Sequence, residues 1–183
     1  NAASIELPDI PMLPPGPDAM SATISAVLPT LGAQLTANVA ALANVNSTGI
    51  YAWRFTNGKE LFFGCQLPHR YQVGAPLKPH VHWLADTTET YTGTWTLDYL
   101  WANPTQATPI STKITLTGAI SGAKTALVPQ ITALDSAAMN QAYGISALFL
   151  CRLALTLSAG TGIFLLEFDF HHESDALGSV AEY

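Results

Sequence analysis

From position 50 onward, apolar and polar residues alternate in short runs separated by turn residues. A period of two marks a strand buried on one face. Segment 94–102 alternates strictly, with Trp95, Leu97, Tyr99 and Trp101 on one side and Thr94, Thr96 and Asp98 on the other. Segment 162–172 behaves alike, placing Phe164, Leu166, Phe168 and Phe170 opposite Glu167, Asp169 and His171. Further strands are predicted over 50–56, 60–67, 79–86, 112–117, 126–131 and 145–157. Asn57-Gly58, between the first two of these, is the strongest hairpin signal, because both residue types tolerate the positive φ of a type I′ turn. One short helix is predicted over 135–143, where Asp135 can cap the start and Gly144 can end the last turn. Many short strands with a single helical element predict an all-β fold, an antiparallel two-sheet β-sandwich or jelly roll.

The first 46 residues follow another pattern. Pro8, Pro11, Pro14, Pro15 and Pro17 punctuate segment 1–18. Proline fixes φ and removes a backbone donor, so this segment predicts an extended, polyproline-like arm. Ile5, Leu7, Ile10, Met12 and Leu13 lie between the prolines and are the candidate partner-binding residues, anchors suited to a neighbour's groove. Segment 19–46 reads as a connector that a short helix can occupy, since Leu31, Leu35, Val39 and Leu42 approach helical spacing. The expected organisation is an arm at 1–18, a connector at 19–46 and a β-sandwich domain at 47–183.

Composition adds an argument about the surface. The chain has 183 residues, enough to bury a core, and 49% of them are hydrophobic. Only 11% are charged, against about 25% in ordinary domains. Intrinsic disorder is excluded, because it needs high charge and few apolar residues. A surface so poor in charge suits contact with other subunits better than contact with water, so an assembly is expected. The formal net charge is −6, and the seven Lys and Arg residues are scattered singly. Without a basic stripe, no direct nucleic-acid partner is expected. Residues 1–17 lack the basic-then-apolar pattern of a signal peptide. The most apolar stretch, 145–157, contains Arg152 and is too short for a span of about 20 residues, so no membrane partner is expected. Asn46-Ser47-Thr48 matches a glycosylation acceptor, taken as coincidence without a secretion signal. Cys65 and Cys151 sit in apolar runs and are expected to be buried, unpaired thiols.

Candidate chemistry centres on His80-Val81-His82. Residues two apart in a strand share a face, which places the two imidazoles about 7 Å apart. The spacing Gly74, His80, His82, Asp86, Gly93 resembles the first motif of the cupin metal-binding barrels, with Asp86 where those proteins usually have Glu. That resemblance implies a metal set of His80, His82, Asp86 and His171, although Phe168-Asp169-Phe170 departs from the second cupin motif. The reading preferred over it is a strand whose histidines hydrogen-bond at a packed interface, with no metal and no cofactor. His171 and His172 are adjacent, so only one of them can share a cluster with His80 and His82. No nucleophile elbow or phosphate loop is present in the sequence, and no catalytic residue or enzymatic activity is expected. Trp53, Trp83, Trp95 and Trp101, with Tyr51 and Tyr99, would suit a sugar groove, but alternation assigns Trp95 and Trp101 to a sandwich core.

Three segments together carry a further likeness: Lys78-Pro79-His80-Val81-His82-Trp83, the strand from Trp95 to Trp101, and Asp169-Phe170-His171 followed by Ser174-Asp175-Ala176-Leu177-Gly178-Ser179. They resemble a group of tailed-bacteriophage virion proteins with a KPH-x-HW motif and a DFH…SD-x-LGS C-terminus, over roughly residues 74–179. The resemblance implies a jelly-roll-like structural protein of the phage head, of the capsid cement or decoration type. Its implied partners are the major capsid protein and further copies of itself, with a trimer favoured over a dimer. The implied location is the surface of the virion head, after synthesis in the bacterial cytoplasm. A tail or fibre-associated role, structural or sugar-binding, is the alternative within the same group.

Overall fold

The computed structural model describes residues 38–104, 111–135, 139 and 142–173. The proline-rich arm, with Ile5, Leu7, Ile10, Met12 and Leu13, lies outside the described residues, as does the connector up to residue 37.

Among the described residues the chain runs through β1 (Ala41–Asn44), a 3₁₀ turn (Val45–Ser47), β2 (Tyr51–Phe55), β3 (Glu60–Gln66) and β4 (Lys78–Ala85). It continues through β5 (Glu89–Ala102), β6 (Ile114–Lys124), β7 (Pro129–Ala133), β8 (Leu148–Ala159) and β9 (Ile163–His171). One sheet has the order β1-β2-β9-β4-β7 and the other β3-β8-β5-β6. All the strand ladders are antiparallel. Set aside β1 at the edge, and the two four-strand orders are those of a jelly roll. The all-β, two-sheet sandwich expected from the alternation is therefore the fold.

Aromatic side chains join the sheets across the core. Phe55 of β2 meets Trp95 of β5 edge-on, with ring centroids 5.1 Å apart. Phe63 of β3 lies 5.2 Å from Phe168 of β9. Phe149 of β8 lies 5.6 Å from Phe170 of β9. These rings are all at least 93% buried, so the core is aromatic as well as aliphatic.

Four expectations change. Asn57-Gly58 does not close a hairpin, because β2 and β3 belong to different sheets. Only Gly58 has positive φ (76°), whereas a type I′ turn needs it at both central residues. The turn carries the chain from one sheet to the other. Asn57 Oδ1 fixes it by accepting from the Leu157 N–H at 2.9 Å.

Second, β9 does not alternate evenly. The ladder to β4 slips between His82 and Trp83, so that Trp83 faces Leu165 while His82 faces Glu167. Leu166 is the bulged residue and is 50% exposed; Ile163 and Leu165 join the central core cluster, while Phe164 is buried (5% exposed) outside it. A bulge inserts one residue and reverses the facing on one side of it.

Third, residues 41–44 of the connector form strand β1 rather than a helix, because pairing with β2 satisfies their backbone at the sheet edge. Fourth, the helix predicted over 135–143 falls mostly outside the described residues. Asp135, Met139, Ala142 and Tyr143 are described, and none belongs to a helix. The Asp135 N–H donates to the Thr117 carbonyl at 2.9 Å instead of opening a helical turn. Met139 and Tyr143 are fully buried, and the Tyr143 hydroxyl meets that of Tyr99 at 2.9 Å. No helix among the described residues is long and apolar enough to cross a membrane.

Candidate functional site

Strands β4 and β9 lie side by side, and their outer faces bring together the side chains that the sequence marks as chemically distinctive. His80 is directly opposite Asp169, and Lys78 is opposite His171. Asp169 is 4% exposed and forms the floor of the cluster. Around it stand His82 Nε2 at 3.3 Å from Oδ2, His171 Nε2 at 3.4 Å from Oδ2, and His80 Nδ1 at 3.8 Å from Oδ1. The His80 and His171 rings pack with centroids 4.5 Å apart. Burial, assisted by the neighbouring His171, holds the His80 imidazole below the usual histidine range. It is therefore a neutral ring at neutral pH.

Three of the four residues in the cupin-like set are thus gathered here, and the fourth is not. Asp86 lies four residues beyond His82, about 13 Å along an extended strand. Its carboxylate is engaged at the end of the sandwich. Oδ2 accepts from the Arg54 guanidinium, at 3.0 Å from Nε. Oδ1 accepts from Tyr91 at 2.9 Å and from Thr161 at 2.8 Å. Asp86 fastens the turns β4–β5 and β8–β9 to β2, and Asp169 takes the place assigned to it in the cluster. Alternation puts Asp169 on the face of His171, but only the pairing of β4 with β9 brings it to His80.

His172 points the other way, as adjacency requires. It is 6% exposed, with its ring 6.1 Å from Tyr71, and burial lowers its pKa. The four tryptophans do not form an open groove. Trp83 and Trp95 are buried, and Trp53 and Trp101 pack against the core.

A second feature covers the outer face of the four-stranded sheet. Phe62, Leu148 and Leu150 are 43%, 51% and 57% exposed on adjoining strands β3 and β8. Gly64 sits opposite Leu150, and Leu150 is also paired with Leu100 of β5. A side chain is missing where Gly64 stands, which leaves a groove of about 570 Å³ between Phe62, Leu100 and Leu150. At its margin, Arg152 donates from Nε to Glu60 at 2.6 Å and from Nη1 to Asp98 at 2.8 Å. Asp98 also accepts from Thr115 at 2.6 Å and lies 3.6 Å from Lys113 Nζ. Burial pushes the Asp98 carboxyl upward, but the bonds from Thr115 and Arg152 and the nearby Lys113 outweigh it and hold the group below the usual range.

Neither cysteine is in a disulfide. A hydrogen bond with Cys65, followed by burial, raises the Cys151 thiol well above the ordinary range. The thiolate is the reactive form, so low reactivity of Cys151 is expected in the folded protein. Iodoacetamide at pH 8 is expected to leave Cys151 unmodified until denaturant is added, as peptide mass mapping would read. Labelling of native Cys151 at the denatured rate would contradict this.

Comparison with protein-family models, with curated proteins and with solved structures finds no match in any of the three.

Proposed function

We propose that this chain is a structural protein of a tailed-bacteriophage virion, a homo-oligomeric capsid cement or decoration subunit that bridges major-capsid subunits and catalyses no reaction. The observation that carries the reading is the apolar outer face of the β3-β8-β5-β6 sheet. On most soluble domains the solvated face of an antiparallel sheet is polar. Here Phe62, Leu148 and Leu150 stand where polar residues are expected. Contiguous exposed apolar area of this kind marks a contact surface.

The occupant we assign to that face is a second copy of the chain. Its charged margin, Glu60 and Asp98 against Arg152 and Lys113, is balanced within one chain. Two like faces therefore meet without net repulsion. The scarcity of charge in the whole sequence and the motif likeness to phage virion proteins support the same reading. Ile5, Leu7, Ile10, Met12 and Leu13 would be the anchors on the capsid, since the prolines between them lower the entropy lost on docking. Binding only the assembled shell stabilises it by mass action, and each copy in the oligomer raises avidity.

Sedimentation velocity combined with co-sedimentation on phage shells tests the proposal. The wild-type chain is expected to be oligomeric and to pellet with the shells. Leu150→Lys is expected to weaken self-association at least about tenfold, the equivalent of ~1.4 kcal/mol. Removal of residues 1–18 is expected to abolish shell binding while leaving the oligomer. A wild-type chain that stays monomeric and never pellets with shells would overturn the reading.

A further inference from the structure

We propose that His80, Asp169 and His171 form a binding site for a divalent transition-metal ion of the zinc type, with His82 as the residue that positions Asp169. One ligand atom from each of the three lies within 4.8 Å of the others. Zinc bonds to nitrogen and oxygen are about 2.0–2.2 Å, which sets neighbouring ligand atoms of a four-coordinate ion about 3.3 Å apart. The pair that faces most directly, His80 Nδ1 and Asp169 Oδ1, is 3.8 Å apart. That separation is too long for a hydrogen bond and close to that of two ligands on one ion.

The independent observation is the state of the carboxylate oxygen. Asp169 Oδ1 is buried and has no hydrogen-bond partner, while the His80 ring beside it also interacts with the Lys78 backbone. A buried carboxylate oxygen that accepts no hydrogen bond is costly, and His80 Nδ1 at 3.8 Å is too far to supply one. A cation between them satisfies that oxygen. Oδ2, by contrast, is held by His82 Nε2 at 3.3 Å and also lies 3.4 Å from His171 Nε2. Metal-bound carboxylates commonly have the second oxygen fixed in this way by an outer partner.

Ligand chemistry selects the ion class. Two imidazoles and one carboxylate suit zinc and its first-row neighbours, whereas calcium and magnesium take all-oxygen sets. The β9 bulge at Leu166 sets the facing of the strand so that Asp169 and His171 come onto this surface, and bulges recur beside functional sites for that reason. His171 is 42% exposed at the side chain, so the ion's remaining position opens to solvent or to a neighbouring subunit's ligand. The site does not involve the groove between Phe62 and Leu150, and it stands or falls apart from the assembly reading.

Calorimetric titration of the EDTA-stripped full chain with zinc chloride is the direct test, with Co²⁺ absorption as a second readout of coordination. One equivalent is expected to bind. His80→Ala, His171→Ala and Asp169→Asn are each expected to weaken binding at least about 100-fold, and His82→Ala about 10–100-fold. His69→Ala, at an exposed histidine outside the cluster, is expected to bind as the wild type does. Because His171 is substantially exposed, its alanine variant keeps the test valid if a substitution at buried Asp169 disturbs folding. A wild-type chain without saturable binding, or undiminished binding by His80→Ala and His171→Ala, would overturn the site.

Discussion

Trp95→Ala lowers the free energy of unfolding by about 3–5 kcal/mol, the range for truncating a fully buried aromatic. Trp95 is fully buried, and its ring meets Phe55 edge-on from the opposite sheet. The alanine therefore opens a cavity between the sheets and removes an aromatic pair worth a further ~0.5–1.5 kcal/mol within that range. Trp95→Phe gives the discriminating comparison. Its Nε1 is buried without a hydrogen-bond partner, so phenylalanine keeps most of the packing and removes an unsatisfied donor. Its cost should be well under half that of alanine. Urea denaturation followed by far-UV circular dichroism measures both, and equal costs for the two variants would show that packing across the sheets is not the cause.

Arg152→Ala is the second large effect, about 3 kcal/mol. Arg152 stands between Glu60 and Asp98, which are 7% and 8% exposed. Removing the guanidinium leaves two nearly buried carboxylates on one face without their shared cation. Breaking a fully buried pair costs about 3–5 kcal/mol, and the 40% exposure of the Arg152 side chain places the expected value at the low end. The pH dependence gives a sharper check. The Asp98 carboxyl is held below its ordinary value of 3.8, so its contribution is complete above that pH. It is lost as pH falls through the folded-state value. The gap between wild type and variant should therefore be constant near neutrality and narrow below about pH 4. A gap that persists unchanged to pH 2 would assign the loss to packing of the arginine stem rather than to its charge.

The candidate site was legible in parts. His80 and His82 sharing a face, and His171 and His172 dividing between faces, follow from the two-residue period alone. Spacing along the chain, which resembles a known motif, puts Asp86 in the set, yet an extended strand carries it about 13 Å from His82. Asp169 carried a local signal, its place on the face of His171, but nothing local says which strand lies alongside. The Asn57-Gly58 turn shows the same limit. Residue preferences report the φ that a turn tolerates, and Gly58 does adopt positive φ, but they do not say whether the strands it joins share a sheet.

Alternation and turn residues determined by themselves that the chain forms strands, that these bury one face, and that Trp95, Leu97 and Tyr99 belong to the core. Those properties are local, since side-chain direction repeats every two residues whatever the neighbouring strand is. Only the tertiary structure decided the strand order, the slip at Leu166, the meeting of Asp169 with three histidines, and the apolar face of Phe62, Leu148 and Leu150. Each depends on register between strands distant in sequence, which is set by the packing of the whole sandwich and is written in no single segment.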